Sequence, residues 1–308
     1  MKLPTLILVF VLSVLSAIGQ EAEPSVFVRF YPGRLDDVCW ENQSAIWRAY
    51  GPALQESGEK AYGFDVWCKN TPKLVSEERY AKDSLGLVER HKLPGGAWGS
   101  PEAKRIENET SYHIDHGNGL DCYSVGPSLG GGTPALLVDG QIVFPWCYKE
   151  YKLLFSTPDS ICFELIYNPA QIGDDTVVEH RRITVISGTR FCKCEVRFDG
   201  LTQPQQICAG IVLHGNDDGI RFNQHLHYIA YEDPSDRPDD ASVGKVMIGV
   251  YAPQMTQVLV SQGHLLAVAP YQPGDSFTYW FGSGWSLGDC PTVEQMVDEL
   301  KQFETNSF

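Results

Sequence analysis

Short apolar runs recur at close spacing through residues 151–281, and no other feature constrains the fold as tightly. Tyr151-Lys-Leu-Leu-Phe, Ile161-Cys-Phe-Glu-Leu-Ile-Tyr, Arg182-Ile-Thr-Val-Ile and Phe191-Cys-Lys-Cys-Glu-Val-Arg-Phe are separated by Pro, Gly, Asp and Ser. Stretches 207–213, 226–231, 245–251, 265–269 and 277–281 continue the series. Runs of this length bounded by turn formers are too short for helices and read as antiparallel strands. Upstream, Ser25-Val-Phe-Val-Arg-Phe, Trp40-Glu-Asn, Ser44-Ala-Ile-Trp-Arg-Ala-Tyr and Tyr62-Gly-Phe-Asp-Val-Trp-Cys read the same way. Residues 70–110 are polar and punctuated by Pro and Gly, which predicts a long excursion with one short helix at most. A well-signalled helix comes last. Thr292 caps it with Gln295 three residues on, and Val293, Met296, Val297, Leu300 and Phe303 form its apolar stripe. The fold class predicted is all-β: a large antiparallel β-sandwich with one C-terminal helix, as a single domain over residues 21–308.

Residues 1–20 read as a secretory signal peptide, with Lys2, an apolar run and small residues near Ala17 and Gly19. A secreted or periplasmic protein is therefore expected, and no later stretch is apolar enough to span a membrane. The formal charge of −15 repels nucleic acid and anionic lipid, so an anionic ligand needs a local cluster of cations. Nine cysteines in an exported chain allow disulfides, with one thiol left over. Cys192 and Cys194 point to one strand face and read as core thiols or a bridge. Asn42-Gln-Ser and Asn108-Glu-Thr match the glycosylation acceptor pattern.

Residues 111–132, SYHIDHGNGLDCYSVGPSLGGG, have neither periodicity. Such a polar, glycine-rich stretch buries little and reads as a loop that builds a site. His113, Asp115, His116, Asp121 and Tyr123 supply the groups for general acid–base catalysis. The same histidines with Asp115 or Asp121 suit a metal, or a hydrogen-bonded plug with no chemistry. No further ligands follow at zinc-site spacing, and neither a metal nor an organic cofactor is predicted. Tyr112 and Tyr123 are candidate proton donors or sugar-stacking rings. Trp40, Trp67, Trp146 and above all Trp285, in the glycine-rich Phe281-Gly-Ser-Gly-Trp, are candidate sugar platforms. Lys149, Lys152, His180, Arg181, Arg182 and Arg190 are the available cations, with Arg181 and Arg182 on opposite strand faces. His225 and His227 share a face of the strand expected there, near His214. Nucleophile-elbow, P-loop, Rossmann and zincin motifs are absent from the sequence.

Several of these stretches together resemble a known family. They are Trp40-Glu-Asn, Tyr50-Gly-Pro-Ala-Leu, Gly63-Phe-Asp-Val-Trp, Tyr112-His-Ile-Asp-His-Gly-Asn-Gly-Leu-Asp-Cys-Tyr, Val125-Gly-Pro-Ser-Leu-Gly and Tyr279-Trp-Phe-Gly-Ser-Gly-Trp. In this order they resemble the bacterial secreted family catalogued as domain of unknown function family 4861, encoded beside polysaccharide-degrading enzymes. The resemblance implies a galactose mutarotase-like supersandwich. It also implies an oligosaccharide or polysaccharide partner containing uronic acid, with some members acting as oligosaccharide dehydratases at a non-reducing-end uronate. On that reading His113 or His116 is the base, Tyr123 or Tyr112 the acid, and Asp115 and Asp121 orient them. An arginine or histidine neutralises the carboxylate. The 90–110 segment is longer than in compact members. A non-catalytic carbohydrate-binding protein and a mutarotase- or epimerase-like enzyme are the competing classes.

Overall fold

The computed structural model describes residues 24–96 and 98–305. The expected signal peptide lies outside the described residues. Its largest element is a nine-stranded antiparallel sheet. Across it run Ile220–Asn223, Tyr228–Asp233, Val246–Tyr251, Phe277–Trp285, Phe191–Asp199, Asp175–Ile186, Ser160–Tyr167 and Tyr148–Ser156, with Ala170–Ile172 paired to the long Asp175–Ile186 strand. A five-stranded sheet follows the order Gln257–Ser261, His264–Tyr271, Gln205–Val212, Gly131–Val138, Gln141–Val143. The third sheet is N-terminal and has four strands in chain order: β1 (Phe27–Tyr31), β2 (Asp37–Glu41), β3 (Ile46–Ala49) and β4 (Asp65–Trp67).

Side-chain alternation explains how the layers stack. In the central strand Val246–Tyr251, Val246, Ile248 and Val250 enter the main core, while Met247 and Tyr251 face the other way. The inner face is covered by both smaller sheets: Ile248 approaches Gly131, and Trp40 and Trp47 meet Phe281 edge-on at 6.4 and 6.1 Å. The C-terminal helix lies on the outer face, where Met296 and Leu300 crowd the space a side chain at Gly249 would need. The architecture is a large antiparallel β-sandwich with a helix at its C-terminal end, as the sequence predicts. Cys192 and Cys194 are core thiols on the inner face, and all nine cysteines are buried and free.

Residues 70–110 depart from expectation. They hold two helices, Ser76–His91 and Pro101–Thr110, and a shorter helix spans Pro52–Glu56. The reason lies in what the longer helix buries. Its inward face is Ser76, Arg79, Tyr80, Asp83, Gly86 and Arg90, which has helical spacing but few apolar residues. Gly86 lets the two helices touch, since a Cβ there would lie 1.9 Å from the Thr110 hydroxyl. Strands 131–138 and 257–261 were also hidden, the first by Gly130 to Gly132 and Pro134 at its start. Asn42 is fully buried, its side chain bonded to the Thr189 carbonyl, so that acceptor pattern is closed in the fold.

Arg190 fastens the C-terminal helix to the sheet. Its guanidinium donates to both carboxylate oxygens of Glu299 at 2.7 and 3.0 Å and to Asp289 at 3.0 Å. Arg190→Ala should cost about 2 kcal/mol, the value of charged hydrogen bonds at a partly exposed site. Urea unfolding checks this; an unchanged midpoint would remove the clasp from the account.

Candidate active site

The glycine-rich segment is pinned before it forms any cleft. The Asp115 carboxylate accepts from the Gly117 and Gly119 amides, both at 2.8 Å. Gly119 has a φ of 98°, and a Cβ there would lie 2.2 Å from the Cys68 carbonyl oxygen, so only glycine closes this turn. Beyond it, Cys68 donates to Leu120 and Asp121 to Tyr112, each at 2.8 Å, laying the segment along β4. Ring contact between Tyr112 and Trp67, at 4.5 Å and 22°, completes the attachment.

An open cleft of about 700 Å³ results, walled by this segment, the Pro32–Arg34 turn, the ends of β2 and β3, and the two helices that begin at Pro52 and Ser76. Arg48 of β3 forms its floor. It lies 2.5 Å from Asp65, 3.8 Å from both Asp37 and Asp121, and donates to the Tyr50 hydroxyl at 2.9 Å. Its guanidinium lies 4.5 Å from the Tyr50 ring centroid and 5.3 Å from that of Trp67. At the rim, Arg34 bonds Asp83 at 2.9 Å and the Tyr112 hydroxyl at 2.5 Å.

Three acids around one arginine cannot all be charged cheaply. Burial, opposed by Arg48 and Arg34, pushes the Asp37 carboxyl up to about 6, and one of its oxygens has no hydrogen-bond partner. Burial, reinforced by the neighbouring Asp65, holds Asp121 well above the usual carboxylate range.

His113 and Tyr123 border the same cleft. The His113 ring is 53% exposed, and burial of its inner side lowers its pKa. Its Nδ1 lies 3.2 Å from the Asp121 carbonyl, which can only accept, so Nδ1 carries the proton and Nε2 the lone pair. The Tyr123 hydroxyl is buried without a hydrogen-bond partner. Burial, with Asp233 nearby, holds it well above the ordinary phenol range, which keeps it protonated. Behind it stands a pair the sequence barely signalled: His214 bonds Asp233 at 2.6 Å, and its ring meets Tyr123 edge-on at 5.7 Å. The arrangement therefore offers a neutral imidazole, a protonated phenol, a protonated carboxyl and a guanidinium in one cleft.

Of the residues singled out in the sequence, the structure unites His113, Tyr112, Asp121 and Tyr123. Asp115 is spent on its turn. His116 points to the far side of Tyr112, its Nε2 3.0 Å from the Ser111 carbonyl. The candidate substrate cations lie elsewhere. Lys149 sits on the edge strand Tyr148–Ser156, and Arg181 is wholly buried, bound to Glu179 at 2.6 Å and 4.1 Å from the Tyr167 ring centroid. Arg190 holds the C-terminal helix. His225 and His227 occupy a turn before the strand that begins at Tyr228, so they share no strand face, and His227 bonds Glu304 at 2.8 Å. Trp285 is 1% exposed and donates to the Val243 carbonyl; Trp40 and Trp67 are also core, and exposed Trp146 does not line the cleft. Arg48, Arg34, Asp37 and Asp65 were not anticipated. Their signal was a charge inside an apolar strand, in Ile46-Trp-Arg-Ala and Phe64-Asp-Val-Trp. Among the described residues no three His, Cys, Asp or Glu side chains are grouped to hold a metal ion.

Fold and cleft together define a β-sandwich protein whose small N-terminal sheet carries a cleft lined by ionisable side chains. The chain belongs to the family described as Domain of unknown function (DUF4861), which it matches over residues 16–306. It is 31% identical over 222 residues to uncharacterized protein P7 of Formosa agariphila; the match covers 69% of this chain and 50% of that one. The chain thus spans about half the length of that curated relative. Among solved structures it overlaps the GH36 α-galactosidase AgaB of Geobacillus stearothermophilus, with a TM-score of 0.37 and 11% identity, over 84% of this chain and 41% of that one. A Klebsiella pneumoniae protein assigned as an aldose 1-epimerase overlaps with a TM-score of 0.29 and 14% identity, over 56% of this chain and 63% of that one.

The Asp37 carboxyl gives the site a pH signature. Its folded pKa is about 6, against about 3.9 for an unfolded Asp, so the folded state binds more protons between the two. Its contribution is whole below about pH 4 and is lost as pH rises to 6, a fall of about 3 kcal/mol. Asp37→Asn should remove most of that fall. Chemical denaturation at pH 4, 5, 6 and 7 measures it, and parallel profiles for the two proteins would refute the assignment.

Proposed function

We propose that this protein is a carbohydrate-active lyase that eliminates water from a non-reducing-end uronic acid of an oligosaccharide. The observation that carries the reading is the unpartnered, protonated Tyr123 hydroxyl sharing a cleft with the proton-free Nε2 of His113 above a buried guanidinium. Elimination needs those three functions. His113 Nε2 takes the C5 proton; the C5–H electron pair forms the C4–C5 double bond; the C4–O bond breaks as Tyr123 gives its proton to the departing hydroxyl, which leaves as water. Negative charge builds on the uronate carboxylate meanwhile, and Arg48, with Arg34 at the rim, faces it. The protonated Asp121 donates where an ionised acid would repel. Tyr50 and Tyr112 supply ring faces for the sugar. Of the acid–base roles expected from the motif, His113 and Tyr123 are the ones kept, and the cation is Arg48. Export through the N-terminal leader, to the periplasm or beyond, would place the enzyme with such substrates.

Elimination creates a conjugated 4,5-unsaturated uronate, so ultraviolet absorbance on uronate-terminated oligosaccharides reports turnover. His113→Ala should lower kcat/KM by about 10² to 10⁴ with an unchanged melting temperature. Tyr123→Phe should lower it comparably yet leave stability equal or higher, because it removes a buried hydroxyl that nothing satisfies. Lys149→Ala should act as wild type. Since His113 is neutral to below its ordinary value, the acid limb of kcat/KM should fall below pH 6.5. A flat absorbance trace with binding still seen by calorimetry would replace the lyase by a binding protein. Proton exchange at C5 without absorbance would replace it by an epimerase-like enzyme.

A further inference from the structure

His116 belongs to the same motif as His113 yet takes no part in the cleft, and it borders a buried guanidinium nitrogen that has no partner. It borders a smaller pocket of about 80 Å³ on the other side of Tyr112, together with Arg79, Lys82, Asn118 and Glu78. Arg79 is 4% exposed, but among the described residues no carboxylate is within ion-pair distance of it. Its guanidinium donates to carbonyls of Cys68 and Asn118 and to the Asn118 side chain, and its Nη1 is buried with no partner. Burial pulls this guanidinium down from its usual range, opposed by Glu41, Asp121 and Asp115 nearby but beyond contact, and its unpartnered Nη1 leaves a buried donor to be satisfied. The Lys82 side chain, on a half-buried residue, has neither a hydrogen bond nor an ion pair among the described residues. Glu78, one helical turn before Lys82 on the rim, is exposed and also has no ion-pair partner among the described residues. His116 has one ring nitrogen on the Ser111 carbonyl and the other uncommitted.

We propose that this pocket is an oxyanion subsite, in which Lys82 and His116 hold a carboxylate or sulfate group and Arg79 provides charge from behind. Tyr112 lines both the pocket and the cleft, so the two sites are separated by one side chain. Resting on the lyase reading, the subsite narrows the substrate to an oligosaccharide carrying a second anionic group beyond its terminal uronate. A point-like ammonium suits a rotating oxyanion better than a neutral hydroxyl, and His116 adds a second donor when both of its ring nitrogens carry protons.

Calorimetry with sodium sulfate tests the site without reference to catalysis. Wild type and His113→Ala should bind it equally, and the double variant Lys82→Ala/His116→Ala should lose at least tenfold in affinity at unchanged melting temperature. Absence of sulfate binding, or equal binding by the double variant, would overturn the site. Turnover then separates the source of the anion. The double variant should raise KM about tenfold at constant kcat on oligosaccharides with a second anionic group, and leave KM unchanged where the second sugar is neutral. Sulfate binding with no such split would assign the pocket to a free inorganic anion and overturn the substrate claim.

Discussion

Arg48 ties together three separate parts of the chain at one buried polar centre. Asp37 comes from β2, Asp65 from β4 and Asp121 from the loop after the helices, and all three converge on one guanidinium. One positive charge cannot balance three negative ones in a buried setting, and the load is reduced by protonation at Asp121 and, below about pH 6, at Asp37. This fixes the character of the cleft. At neutral pH its floor presents a guanidinium flanked by the ionised Asp37 and by the protonated Asp121, which can donate a hydrogen bond, in a protein whose overall charge is −15. The guanidiniums of Arg48 and Arg34 are the cations of this cleft, set inside a negatively charged envelope. The rings of Tyr50, Trp67 and Tyr112 around Arg48 exclude water and make those electrostatics strong.

The strands were legible because their physics is local. Alternation in Phe191-Cys-Lys-Cys-Glu-Val-Arg-Phe records a sheet with one face on the core, and Pro, Gly and Asp mark where each strand ends. The helices of 76–110 were illegible for the opposite reason. Arg79, Asp83 and Arg90 face inward there, so the buried stripe is polar and its period cannot be seen by counting apolar residues. His225 and His227 failed differently: a local turn at Gln224 to His227 put the strand start two residues later than hydropathy suggested. Trp285 shows the limit of loop-like composition, since glycines at 282 and 284 serve close packing against Phe191 and Cys290 rather than a flexible platform.

In the site, the acid–base half was readable and the cationic half was not. His113, Asp121, Tyr112 and Tyr123 sit within a dozen residues, and clustered ionisable groups in a glycine-rich loop are visible in one dimension. Arg48 lies 65 residues upstream of His113 and reaches it only through the pairing of β3 with β4 and of β4 with the loop. Candidate cations chosen by proximity in sequence, such as Lys149, Arg181 and Arg190, are committed to the sandwich and its helix. A charged residue that interrupts an apolar strand is the better guide. Isolation in a strand means burial, and burial requires partners.

The motif's two histidines also show how a short stretch can serve two pockets. Asp115 captures two amides ahead of it, and Gly119 lets the chain pass tight over Cys68, so residues 113 and 116 leave the turn on opposite sides of Tyr112. Tyr112 is held rigidly from both directions, stacked on Trp67 and bonded to Arg34 and Arg48. A wall so constrained cannot yield when one pocket fills, so occupancy on the His116 side is transmitted as position rather than as movement. In the proposed reaction a ligand anchored there would meet His113 at a fixed offset, and that offset would convert weak contacts at a remote group into orientation at the reacting carbon.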